Sequence, residues 1–294
     1  MSNPFDLENQ ASYRTWRAGR LAAYPAVTAD LRVDVARLAA PSAAEQKRIR
    51  QRMAAFNLAL IRTGPEQIEP DAILAFGRAL GLTTADSNLF ADHRAVSTIA
   101  PGGADDRAEY IPYTNRPLSW HTDGYYNDAL GQVRAWTLFC LRPAPSGGTN
   151  ALLDHEIAYI LLRDESAEHI RALSHPQALT IPANVQDGRT LRPQSVGPVF
   201  SVRDGTLHMR YTARERNVSW RDTPQTHAAR AALDRLFSSN PIYTFTHNLQ
   251  SGEGLISNNV LHNRTGFESR PMGGEGRLLY RVRYLDRVEE PHPA

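Results

Sequence analysis

Lysine is almost missing from this sequence: Lys47 is the only one among 33 lysine and arginine residues in a chain of 294. Arginine therefore supplies nearly all the positive charge, and an arginine near a motif says little by itself. Cysteine is as scarce. A lone Cys140 rules out an internal disulfide framework and fits a reducing compartment. It sits in the apolar run AWTLFCL, which reads as a buried, inert thiol. No apolar run reaches membrane-spanning length, and the start, MSNPFDLENQ, has no basic segment followed by an apolar one. A cytoplasmic protein without a membrane partner is expected. The formal net charge is only +2, which argues against a dedicated nucleic-acid binder, since such proteins concentrate basic charge.

The chain has enough apolar residues, 41%, for a substantial core. Its first ninety residues read as helical with one strand. Ser42 and Glu45 have capping-box spacing ahead of EQKRIRQRMAAF, NLALIRTG reads as a short strand, and Pro70 and Gly81 bracket a helix over DAILAFGRAL. From Asp92 to Pro117, around PGGADDR, the pattern is irregular, as in a binding loop or lid. Strands and turns then alternate. RAWTLFCLRP is a strand, PAPSGGT a turn, and a helix begins near Asp154. Asp204-Gly205 marks a hairpin, and HAARAALDRLFSS is a helix. IYTFTHNL, GLISNNVLH and GRLLYRVRYLD are three further strands. One domain over 1–294 is expected, with the β-rich part over 110–286 and helices packed outside it.

The stretch PYTNRPLSWHTDGYYN contains His121 and Asp123. On a strand, residues two apart share a face, so this imidazole and carboxylate would project together. A third ligand would complete the set of two histidines and one carboxylate that suits non-haem Fe(II) and leaves positions open for chemistry. Ten histidines make one chance H-x-D unsurprising, so the pair alone is a weak signal. Among the remaining histidines, which include His292, His262 stands out because it ends GLISNNVLH and precedes a strand bearing Arg277, Arg281 and Arg283.

Together WHTDG, PSGGT, GEGLISNNVLHNRTGF and GRLLYRVRYLD resemble the taurine dioxygenase and γ-butyrobetaine hydroxylase family, in that order and spacing, from about Tyr110 to Asp286. That resemblance implies a mainly β fold with flanking helices around a double-stranded β-helix, or jelly-roll, core. It implies Fe(II) held by His121, Asp123 and His262, with 2-oxoglutarate and O2 as co-substrates. Thr149 would donate to the distal carboxylate of 2-oxoglutarate and Arg277 would pair with it, since a bidentate guanidinium matches a carboxylate best. Arg264, Arg270, Arg281, Arg283 and Arg287 lie close enough in sequence to compete for that role. Alternation puts Arg277, Arg281 and Arg283 on one strand face, and buried arginines there would require anions.

The implied reaction is hydroxylation of a C–H in a small polar, anionic or zwitterionic molecule, with release of succinate and CO2. Arg281 matches the family position that holds a sulfonate. Tyr113 matches one that helps cage a trimethylammonium group, with Tyr110, Trp120, Tyr125 and Tyr126 as further aromatic candidates. Packing is the competing role for these rings. The same iron site with a desaturation or cleavage outcome, a non-catalytic 2-oxoglutarate or metal sensor, and a zinc hydrolase are the alternatives. Asp92–Pro117 and Pro182–Pro198 are the expected cover over the site. A small-molecule substrate is expected, and a homo-oligomer is left open.

Overall fold

A computed structural model describes residues 3–24, 28–101, 110–214, 216, 218–239, 241–269 and 276–289. Most of PGGADDR, together with Arg270 and His292, lies outside them. Helix α1 (Gln10–Ala23) is followed by β1 (Arg32–Asp34), α2 (Ala43–Phe56), β2 (Leu58–Arg62), α3 (Pro70–Ala79) and β3 (Val96–Ile99). Next come β4 (Leu118–His121), β5 (Ala135–Arg142), β6 (Asn150–Leu153), α4 (His155–Glu165) and α5 (Ala167–Leu173). Seven short strands follow: β7 (Leu179–Ile181), β8 (Asn184–Gln186), β9 (Arg189–Arg192), β10 (Ser195–Gly197), β11 (Phe200–Arg203), β12 (Thr206–Met209) and β13 (Ser219–Trp220). The last elements are α6 (Pro224–Ser238), β14 (Phe245–His247), β15 (Glu253–Ser257), β16 (Leu261–Arg264) and β17 (Leu278–Tyr284).

Backbone contacts divide the chain into two compact units, one of Met1–Tyr24, Trp120–Gln132 and Leu153–Thr244, the other of Pro25–Ser119, Val133–Leu152 and Phe245–Ala294. The second unit carries a six-stranded sheet in the order β1-β2-β15-β5-β17-β3. Its core forms where α2 and α3 cover one face of that sheet. Ile49, Met53, Ile73 and Phe76 from the helices meet Ile61, Phe139, Ile256 and Val282 from the strands. Local chemistry places α2 as its capping spacing predicts: the Ser42 side chain accepts from the Glu45 N–H, Glu45 reaches back to the Ser42 N–H, and left-handed Asn57 ends the helix. A second sheet has the order β14-β6-β16-β4. Two sheets of mostly antiparallel strands with helices outside are the mainly β, jelly-roll architecture expected.

The first unit is built on α4, α5 and α6. Tyr159, 1% exposed, packs edge-on against Phe200 with ring centroids 5.4 Å apart. The β11–β12 hairpin turns at Asp204 and Gly205, as read from the sequence, and β8–β9 turns at Asp187 and Gly188. All four residues have positive φ, the signature of tight hairpin turns.

Three expectations are corrected. GLISNNVLH is two strands, β15 and β16, because the Ser257 hydroxyl accepts the Val260 N–H at 3.0 Å and Asn259 takes the left-handed conformation that asparagine tolerates. His262 therefore lies inside a separate strand, not at the end of a long one. The segment from Asp92 to Pro117 is not wholly irregular, since Val96–Ile99 pairs antiparallel with β17. A four-residue edge strand opened by a positive-φ Ala95 carries too little alternation to be read. Asn150–Leu153 is likewise a strand before α4, too short to show a period.

β15 lies between β2 and β5, and at Gly254 a Cβ would fall 2.3 Å from Phe139 Cδ1. Phe139 is fully buried and packs edge-on against Phe76 at 5.6 Å, so neither ring can retreat cheaply. Gly254→Ala is expected to destabilise the protein by about 1–3 kcal/mol, the usual result of overpacking. Urea unfolding checks this, with Gly276→Ala, where nothing lies within 4 Å, as the neutral control.

Candidate metal centre

β4 and β16 are hydrogen-bonded neighbours in the second sheet. Along β4, Trp120 stacks on Phe237 with centroids 5.4 Å apart and planes 24° from parallel. Alternation sends the next side chain, His121, the other way. The strand ends there, and the chain continues by pairing with the segment after β12: Thr122 donates its N–H to Tyr211 O at 3.0 Å, and Tyr211 donates to Thr122 Oγ1 at 3.0 Å. Asp123 follows in a turn that Gly124 closes at φ +66°. The H-x-D pair is therefore brought together by a strand end and a turn, not by strand alternation alone. His121 and Asp123 are 6% and 5% exposed, and His121 Nε2 lies 3.7 Å from Asp123 Oδ1.

His262 completes the group: one ligand atom from each of His121, Asp123 and His262 lies within 4.8 Å of the others. His262 Nδ1 is 2.9 Å from the Val260 carbonyl, which can only accept, so Nδ1 carries the proton and Nε2 keeps its lone pair. Its ring is tilted against Trp136 with centroids 5.0 Å apart, which fixes the imidazole plane. Two imidazole nitrogens and one carboxylate oxygen around a single point, with one imidazole oriented from behind, fit a divalent iron and leave its remaining positions to ligands from outside the chain.

The GGT turn is built where only glycine fits. Gly147 and Gly148 have φ of +72° and +74°, and a Cβ on Gly147 would fall 2.3 Å from Gly266 O. Thr149 is tied to Thr265 both ways, by its N–H to Thr265 Oγ1 at 3.0 Å and by the Thr265 N–H to its carbonyl at 2.9 Å. Arg277 lies beside this turn: a Cβ on Gly148 would sit 3.6 Å from its Nε. The Arg277 guanidinium lies 5.0 Å from the Phe267 ring centre and the residue is 7% exposed. Burial lowers its pKa to about 10, so it is still a cation at neutral pH. Among the described residues no carboxylate pairs with it. A desolvated cation without an internal anion is the signature of an anion site.

The other arginines of this region are accounted for internally, which narrows the expectation that the whole arginine face implies bound anions. Arg283, 3% exposed, forms an ion pair with Asp86. Arg264 donates to the carbonyls of Pro112 (3.3 Å), Thr114 (2.9 Å) and Arg116 (2.5 Å), and Arg287 donates to Asn57 Oδ1 at 3.1 Å. Arg281 is half-buried on β17, opposite Ser97 and Leu138. Of the aromatic candidates, Tyr113 is buried edge-on against Phe90 at 5.2 Å, and the face of Trp120 is covered by Phe237. Tyr125 approaches His121, with ring centroids 6.4 Å apart. Sequence reading missed Thr265 and Phe267, which carry the GGT turn and Arg277. Both stand in NRTGF, directly after His262, where their sequence position was the only available signal. Cys140 is buried and its thiol pKa is pushed up to about 11, as an inert thiol requires. Among the described residues no helix is long and apolar enough to cross a membrane.

A uridine-5'-phosphate dioxygenase from Amycolatopsis sp is 31% identical over 157 residues, a match spanning 52% of this chain and 56% of that protein. A second, from Streptomyces sp, is 29% identical over 212 residues, 68% of this chain and 72% of that one. Among solved structures, an asparagine oxygenase in complex with Fe(II), 2S,3S-3-hydroxyasparagine and succinate superposes with a TM-score of 0.60 at 18% identity, covering 87% of this chain and 93% of its own. The non-heme iron oxygenase OrfP in complex with Fe and alpha-ketoglutaric acid gives 0.62 at 22%, covering 96% and 90%. These two share the fold. The model of the taurine catabolism dioxygenase TauD, TfdA family matches residues 20–283, and the chain belongs to that family.

Proposed function

We propose that this protein is an Fe(II)- and 2-oxoglutarate-dependent oxygenase that hydroxylates a C–H of a small anionic molecule. The observation that carries the reading is the convergence of His121, Asp123 and His262 on one point. Family membership and the relatives' activity on a uridine phosphate support it. The single buried thiol supports a reducing, cytoplasmic setting.

Iron bound there, with 2-oxoglutarate and O2, supplies the oxidising chemistry, converting 2-oxoglutarate, O2 and R–H into succinate, CO2 and R–OH. The chain's own residues do the positioning. His121, Asp123 and His262 hold the metal, and the Val260 carbonyl holds His262 in the tautomer that binds it. Arg277 would hold the distal carboxylate of 2-oxoglutarate, with the Thr149 hydroxyl as a second donor. Phe267 under the guanidinium and the paired Thr149–Thr265 backbone keep both donors in place before the ligand arrives. Tyr125, against His121, belongs to the substrate side, with Arg281 and Tyr113 as further substrate contacts.

Succinate release from 2-oxoglutarate by anaerobically Fe(II)-loaded protein, after O2 is admitted, tests the reading. Chelation is expected to abolish turnover and Fe(II) to restore it, while Asp123→Ala is expected to leave less than roughly 1% of the rate because one of the three side chains that would hold the iron is lost. Undiminished turnover in that variant would contradict the assignment. Arg277→Gln is expected to raise KM for 2-oxoglutarate roughly 10–150-fold, the equivalent of about 1.5–3 kcal/mol for a hydrogen bond to a charged group. Arg277→Lys recovers part of the loss. An unchanged KM moves the 2-oxoglutarate anchor to another cation.

A further inference from the structure

Directly after Asp123 the chain places Tyr125 and Tyr126 edge to face, with centroids 5.2 Å apart. Each has an arginine at its side. The Arg214 Nη1 is 3.5 Å from the Tyr125 hydroxyl. The Arg192 guanidinium lies 5.3 Å from the Tyr126 ring centre and donates to the Tyr126 carbonyl at 3.4 Å. Arg192 comes from β9 and is anchored by the carbonyls of Pro182 at 2.7 Å and Pro193 at 2.9 Å. Three of its five N–H groups are used in this way and two remain. Behind it, Arg210 is 4% exposed and held by the carbonyls of Leu179, Ser195 and Gly197.

Among the described residues no carboxylate pairs with Arg192, Arg210 or Arg214. Burial pushes the pKa of Arg192 down, and burial together with the charge of Arg192 pushes Arg210 down to about 10. Arg192, half-buried, and Arg210, buried, lie within each other's field without an internal anion, which opposes folding through desolvation and repulsion; exposed Arg214 adds a positive charge beside Tyr125, and an incoming anion relieves the repulsion. The group is continuous with the iron ligands, because Tyr125 also faces His121 at 6.4 Å. Arg192 and Arg210 are tethered through carbonyls, which fixes them in place while leaving their charge unneutralised.

We propose that Arg192 and Arg214, with the Tyr125 hydroxyl between the metal ligands and Arg214, form a subsite for a phosphomonoester group on the substrate. The proposal rests on the oxygenase reading above and adds to it the substrate class and the residues that select it. A phosphomonoester carries close to two negative charges at neutral pH and three acceptor oxygens. Two forked guanidiniums and a hydroxyl match that better than they match one carboxylate, which Arg192 or Arg214 alone would satisfy. Arg210 acts through Arg192, adding field without touching the ligand.

Calorimetry on the full chain, loaded with Fe(II) and 2-oxoglutarate under anaerobic conditions, tests this with uridine 5′-phosphate, uridine and inorganic phosphate as probes. Uridine 5′-phosphate is expected to bind roughly tenfold or more tightly than uridine, with inorganic phosphate competing for its site. Arg214→Gln is expected to remove most of that preference and Arg214→Lys to restore part of it, a pattern that a fold-supporting role would not produce. If Arg192→Gln fails to fold, competition by inorganic phosphate in the unaltered protein still decides. Equal affinity for the phosphorylated and unphosphorylated probes, or no competition by inorganic phosphate, overturns the subsite. Failure of 2-oxoglutarate to bind the Fe(II) protein at the outset counts against the oxygenase reading instead.

Discussion

Hydrogen bonding between β4 and β16 is the constraint on which the rest depends. β4 delivers His121 at its last residue and β16 delivers His262 near its middle, so the pairing of the two strands sets the distance between the imidazoles. The carboxylate arrives by a different device, a turn closed by Gly124 that folds Asp123 back toward His121. A shift of one residue in either strand would turn its histidine to the opposite face and take it away from the candidate metal site. Trp136 against His262 and Tyr125 against His121 brace the two rings from the sides.

Charge is organised around the same region by the way each buried guanidinium is satisfied. Arg283 has the carboxylate of Asp86. Arg264 and Arg210 have carbonyl oxygens, which meet the hydrogen-bonding need of the fork but leave its charge in place. Arg277 has an aromatic face and, among the described residues, no anion. In a chain that uses arginine for almost every positive charge, proximity of an arginine to a motif carries little information, whereas the identity of its partner carries a great deal. A buried guanidinium with neither a carboxylate nor a full set of carbonyl acceptors, as at Arg277, is the one left for a ligand.

Much of this was legible beforehand, for identifiable reasons. The α2 capping box and the Asp204-Gly205 turn are local chemistry, written within four residues and reproduced in the fold. The candidate ligands His121, Asp123 and His262 are legible because WHTDG and VLHNR resemble a family, and less so from spacing: H-x-D alone is a weak signal, and Asp123 lies beyond the strand that ends at His121. The break of GLISNNVLH at Asn259 was hidden by an apolar run that looks continuous. The partners of the arginines were not legible at all. That Asp86 takes Arg283 and that three carbonyls take Arg264 are long-range facts, fixed by packing between segments far apart in sequence. Trp120 shows the same limit from the other side, since only the position of α6 reveals that its face is covered.

The most direct test of the account is an anaerobic titration of the metal-free protein with Fe(II) and then 2-oxoglutarate, followed by the visible charge-transfer absorption that chelation of ferrous iron by a 2-oxo acid produces. The account predicts one Fe(II) per chain, an absorption that appears only when both components are present, and its loss in His262→Ala. An absorption that survives His262→Ala unchanged, or iron that binds with no response to 2-oxoglutarate, would contradict it.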